Sequence, residues 1–86
     1  MDILTFADMI DGKKLNISYN TPEVNCFYNG DRVQVDGDDE EIYINIFNGY
    51  LHINIEDIIA INLVEQDLIH IELTRGELWM SGFSSS

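Results

Sequence analysis

The first apolar positions recur with a helical period. Ile3, Phe6, Ala7 and Ile10 fall at i, i+3, i+4 and i+7, one apolar stripe of a short helix over residues 2–11. Asp2 can cap its N-terminus, and Gly12 suits the position just past its end. Lys13 and Lys14 follow near the negative end of the helix dipole. A helix this short needs a sheet to pack on.

From there the period changes to two. Leu15, Ile17 and Tyr19 alternate with Asn16, Ser18 and Asn20, a strand with one wet face. Residues 20–31 read as a loop, with Pro22, several asparagines and the turn pair Asn29-Gly30. Val24, Phe27 and Tyr28 are expected to pin this loop to the core. Val33 and Val35 suggest a second strand, ending in the acidic turn from Asp36 to Glu41.

Asn48-Gly49 is a preferred type I′ turn pair, since both central residues of that turn need positive φ. Folding about it pairs Ile46 with Leu51, Ile44 with Ile53 and Ile42 with Ile55, one apolar face. The other face pairs Phe47 with Tyr50, Asn45 with His52, Tyr43 with Asn54, and Glu41 with Glu56. A slip of one residue would mix the faces, so the alternation excludes it. Like charges opposed at Glu41 and Glu56 would destabilise by a few tenths of a kcal/mol, roughly.

The run Ile58-Ile59-Ala60-Ile61-Asn62-Leu63-Val64 is nearly apolar on both faces and reads as a central strand. After Glu65-Gln66-Asp67 the chain returns through Leu68–Leu73. It turns again at Thr74-Arg75-Gly76 and ends on a strand around Leu78, Trp79 and Met80. The fold class is mainly β (α+β): a short N-terminal helix, then an antiparallel meander of five or six strands, as a bent sheet or small SH3-like barrel. A chain of 86 residues has room for one domain, taken as 1–83, with Ser84-Ser85-Ser86 a frayed tail.

Charge changes this picture most. Sixteen Asp and Glu face four Lys and Arg, a formal net charge of -12. Charge of one sign steers encounters with the other, so a basic partner is favoured. DNA, RNA and anionic membranes carry the same sign and are disfavoured as direct partners. The bland alternative is that the acid serves solubility. Hydrophobic residues make up 45% of the chain, enough for a core despite the charge.

Chemistry is harder to place. One cysteine, Cys26, precludes an internal disulfide and fits a reducing cytoplasm. No long apolar run or basic leader is seen, and no membrane span is expected. His52 and His70 lie on separate strands and read as partly exposed surface residues. One Cys and two separated His do not form a zinc site. The stretch Asp36–Glu41 lacks the glycine and final glutamate of a calcium loop, Glu41 and Phe47 standing at those places. No nucleotide-binding or hydrolase motif is present. No enzyme activity, cofactor or metal is expected.

The acids are spread along the chain, mostly at turns and on polar strand faces, where a folded scaffold would hold them. Same-face residues on a strand lie ~6.8 Å apart, twice the rise per residue. Duplex DNA carries a charge every ~3.4 Å per strand. A sheet studded with carboxylates can therefore imitate a run of phosphates. Tyr43, Phe47, Tyr50 and Trp79 could add contact area, or pack on the second face of the barrel.

In size, charge and composition the whole chain resembles the small acidic DNA-mimic inhibitors of bacteriophages. These include inhibitors of uracil-DNA glycosylase, antirestriction proteins, anti-CRISPR proteins and inhibitors of bacterial histone-like proteins. The pattern of strands also resembles SH3-like and Sm-like modules. The first resemblance implies a decoy that blocks the basic nucleic-acid site of a bacterial protein, in the host cytoplasm if phage-encoded. The residues expected to carry binding are Asp36, Asp38, Asp39, Glu40, Glu41, Glu56 and Asp57. An adaptor module, recruiting a partner through a strand edge or the segment from Val24 to Tyr28, is the rival reading. A homodimer through strand edges is a further expectation.

Overall fold

A computed structural model describes residues 1–46 and 49–85, the side chain of Ser85 excepted. Helix α1 (Ile3–Ile10) forms where the apolar stripe predicts it. The Asp2 carboxylate accepts the Thr5 N–H at 2.8 Å, satisfying one of the donors a helix start leaves unpaired. Gly12 adopts φ +74°, the left-handed conformation that ends the helix. Its N–H donates to the Val33 carbonyl at 2.7 Å, and the Asp11 carboxylate accepts the Val35 N–H at 2.9 Å. The end of α1 is thus tied to the segment around Val33. Phe6 and Ile10 are its wholly buried residues.

Among the described residues the rest of the chain makes eight strands in two antiparallel sheets, with no closed barrel. The strands are β1 (Leu15–Asn20), β2 (Asn25–Gly30), β3 (Gln34–Gly37), β4 (Glu41–Ile46), β5 (Gly49–Asn54), β6 (Ile58–Glu65), β7 (Leu68–Leu73) and β8 (Gly76–Ser81). One sheet runs β2-β1-β8-β7-β6 and the other β3-β4-β5. The fold is mainly β, as the periodicity predicts. Eight strands form where five or six are expected; they do not run as one simple meander, because β1 pairs with β8 from the far end of the chain, and they do not close into a barrel, because they divide between two sheets. Inward residues of both sheets and α1, among them Leu15, Ile17, Ile44, Ile69, Ile71, Leu78 and Met80, form one buried cluster.

Four local expectations are also corrected. Residues 25–30, read as loop, form β2, closed onto β1 by a tight turn in which the Thr21 N–H donates to the Val24 carbonyl at 2.8 Å. Asparagine, glycine and proline mask a strand whose alternation places Cys26 and Tyr28 inward. Val24 and Phe27 do not pin the segment to the core: they are 53% and 67% exposed.

The central hairpin keeps its faces but pairs Ile44 with Leu51, Ile42 with Ile53 and Ile46 with Gly49. This differs from the expected register by two residues, a slip that alternation cannot detect because it leaves every side chain on its own face. Glu41 accordingly lies opposite Asn54, and not Glu56. Phe47 and Asn48, and so the expected turn, lie outside the described residues.

The third correction concerns β6, which is an edge strand paired to β7 alone. Ile59, Leu63 and Val64 are about half or more exposed (62%, 48% and 51%). Irregular pairing near Ile58–Ala60 and Leu63–Glu65 breaks the line of this edge, a common device against edge-to-edge pairing. Finally, the tail is held at its first residue. The Ser84 N–H donates to Asp67 at 2.9 Å and the Gly82 N–H to the same carboxylate at 3.0 Å. Among the described residues no helix is long and apolar enough to cross a membrane.

Candidate interaction surface

The acidic residues singled out from the sequence lie around the β3–β4 turn. Gly37 pairs with Ile42 there, and a Cβ at Gly37 would run into the Glu41 carbonyl oxygen. The Asp38 carboxylate accepts the N–H groups of Glu40 and Glu41, at 2.8 and 3.1 Å. These bonds favour its ionised form and hold its pKa below the usual carboxylate value. Asp36 accepts the Gly37 N–H at 2.9 Å. The turn is therefore built by carboxylates, which fixes the directions of its neighbours.

The Ile55 N–H donates to the Glu40 carbonyl at 2.9 Å. That bond draws the 3-10 turn Ile55–Asp57 alongside the hairpin tip. Asp39, Glu40, Glu41 and Glu56 consequently line one shallow depression of about 480 Å³, with Asn54 and Ile55 completing it. Asp39, Glu40 and Glu56 are exposed. On the other side of Asp39 and Glu41 runs a second concavity of about 380 Å³, between α1 and the hairpin, where Asp36 and Asp38 join them. Asp57 stands apart. It lines a separate cavity of about 290 Å³ with Tyr19, His52 and Arg75, and its carbonyl accepts the Thr74 N–H at 2.9 Å. Six of the seven expected residues are thus gathered on two adjoining concavities, and the seventh is not. Among the described residues no three Asp, Glu, His or Cys side chains converge as metal ligands.

Glu41 has further contacts that the sequence alone did not reveal. Its carboxylate accepts the Tyr43 hydroxyl at 2.8 Å and lies 3.1 Å from His52 Nε2. The bond to that carboxylate stabilises the protonated phenol and raises the Tyr43 pKa. Tyr43 stacks on His52 with ring centroids 4.8 Å apart, and Tyr50, 65% exposed, meets Tyr43 edge-on at 5.7 Å. This cluster covers the outer face of the three-stranded sheet. The two-residue difference in register hid it, since it places His52 opposite Tyr43 where Asn45 was expected.

A matching cluster lies on the outer face of the five-stranded sheet. His70 Nε2 is 3.0 Å from Glu77, and its ring lies 4.2 Å from that of Trp79, its cross-strand partner. Hydrogen bonding to His70, and then to Trp79, lowers the Glu77 pKa. The ladders align Phe27, Ser18, Trp79, His70 and Asn62 in one row across the sheet. Trp79 and Tyr43 are half-buried, so part of each aromatic ring is committed to packing.

No family model, curated protein or solved structure matches the chain.

Proposed function

We propose that the protein is an acidic decoy, acting without chemistry of its own, that occupies the basic nucleic-acid-binding site of another protein and inhibits it. The reading includes the phage anti-defence or host-takeover role implied by its resemblance to DNA-mimic inhibitors, exercised in a bacterial cytoplasm. Its main support is the depression at the hairpin tip. There Asp39, Glu40, Glu41 and Glu56 converge on a turn whose backbone is held by Asp38 and by the Ile55–Glu40 bond. A turn whose backbone is held in advance need not be ordered on binding, so more of the Coulombic attraction of the carboxylates it carries appears as affinity. The net charge of -12 adds long-range steering toward cationic surfaces.

The test is affinity capture from bacterial lysate at low and raised salt, with bound proteins identified and each then assayed for nucleic-acid binding. The expected catch is a basic nucleic-acid-binding protein, released by salt and by competing DNA. Asp39→Asn, Glu40→Gln and Glu56→Gln together should weaken its binding and flatten the salt dependence. A partner retained at high salt and indifferent to nucleic acid would sink the decoy.

The adaptor reading draws support from a different place. Phe27 exposes its apolar side chain on the edge strand β2 and Val24 on the turn leading into it, as Ile59, Leu63 and Val64 do on β6. A partner strand, or a second copy of the chain, could add to either edge. Affinity that ignores salt and responds to changes at Phe27 or Leu63 is the mark of this alternative.

A further inference from the structure

The concavity between α1 and the β3–β4 hairpin differs from the hairpin-tip depression in having an apolar floor. Leu4, Ala7, Val35, Ile42 and Ile55 line it, and Leu4 is 76% exposed on the first turn of α1. Its rim is Asp36, Asp38, Asp39 and Glu41, and among the described residues no Lys or Arg borders it. At about 380 Å³ it lies near the small end of ligand pockets, which span ~300–1,000 Å³. It has room for one or two side chains and not for a large ligand.

We infer that this groove receives an aliphatic side chain flanked by Lys or Arg on the partner protein, so that recognition needs an apolar anchor as well as positive charge. This rests on the decoy reading and deepens it. The occupant follows from charge complementarity. An apolar residue alone would leave the negative charge of Asp36, Asp38, Asp39 and Glu41 around the groove without a countercharge from the partner, and a cation alone would leave Leu4 and the groove floor wet. A basic segment with a leucine-like residue satisfies both. The long stems of Lys and Arg can lie along the apolar floor while their charged ends reach the rim. Duplex DNA, which a pure phosphate mimic imitates, offers no counterpart to this floor.

The probe is a pair of short labelled Lys/Arg peptides, one with leucine and one with serine at its centre, titrated by fluorescence anisotropy. The wild-type protein should bind the leucine peptide about tenfold or more tightly, as expected for burying one leucine side chain. Leu4→Asp should erase that preference. Because this substitution adds negative charge at an exposed position in the first helical turn, attraction by charge alone predicts equal or tighter binding. Circular dichroism checks that the variant folds.

Equal binding of both peptides, weakened by Asp39→Asn/Glu40→Gln/Glu56→Gln, would overturn the anchor and leave the decoy standing. Absence of salt-sensitive binding to either peptide would overturn both. Concentration-dependent dimerisation that Leu4→Asp abolishes would assign the groove to a second copy and overturn the anchor.

Discussion

Truncating Phe6 tests how α1 is held. The helix has eight residues, too few to persist in water by itself. Its attachment rests on Phe6 and Ile10, both 0% exposed. Replacing a buried phenylalanine by alanine removes its contacts and leaves a cavity, destabilising by about 3–5 kcal/mol. A chain of this length has a total stability of roughly 4–13 kcal/mol, at 0.05–0.15 kcal/mol per residue. Phe6→Ala therefore removes between about a quarter and the whole of it. At about 4–8 °C per kcal/mol, the melting midpoint should fall by at least ~12 °C. Leu4→Ala, on the same helix but 76% exposed, should change stability by no more than about 0.5 kcal/mol. Thermal and urea melts followed by circular dichroism and by the one tryptophan, Trp79, measure both. A Phe6→Ala midpoint within about 4 °C of wild type, or equal losses in the two variants, would refute the docking of α1 into the core.

Acid should remove the contribution of the Glu77 carboxylate that bonds His70. Glu77 has a lowered pKa in the fold, so its stabilisation is complete above the ordinary glutamate value of 4.5 and is lost as pH falls through the folded value. Wild type should exceed Glu77→Gln in stability at neutral pH and converge with it in strong acid. A difference that does not change between pH 7 and pH 2, roughly, would refute this. Asp67→Ala removes the acceptor for the Gly82 and Ser84 N–H groups. Hydrogen exchange at those two amides should speed up while exchange in β4 stays unchanged. Gly37→Ala should destabilise by about 1–3 kcal/mol, the range for a steric backbone conflict, because the Glu41 carbonyl oxygen closes on that position. A neutral result in urea denaturation would refute the close approach. Leu63→Lys should leave the fold intact and suppress any self-association through β6, as measured by sedimentation. Association that survives it excludes that edge.

The sequence by itself determined the elements whose signals are local. The i, i+3, i+4, i+7 stripe, Asp2 and Gly12 suffice for α1, because helix periodicity and capping involve neighbours within a few residues. Alternation suffices for the two faces of β4 and β5. The excess of acid and the run from Asp36 to Glu41 were equally legible, being contiguous in sequence, whereas Glu56 joins them through the Ile55–Glu40 backbone bond and not through the expected pairing with Glu41.

The tertiary structure decided which strands neighbour which. Period-two alternation reports a strand's faces and says nothing of its edges, so the apolar run of β6 could not be told from a central strand. Nor can alternation distinguish registers that differ by two, and those decide whether His52 meets Asn45 or Tyr43. The pairing of β1 with β8 depends on contacts between residues more than fifty positions apart, which no local pattern encodes. The same holds for the groove beside α1: its floor joins Leu4 and Ala7 of the helix to Val35, Ile42 and Ile55, and its rim comes from the hairpin. Only folding the chain makes one surface of the two.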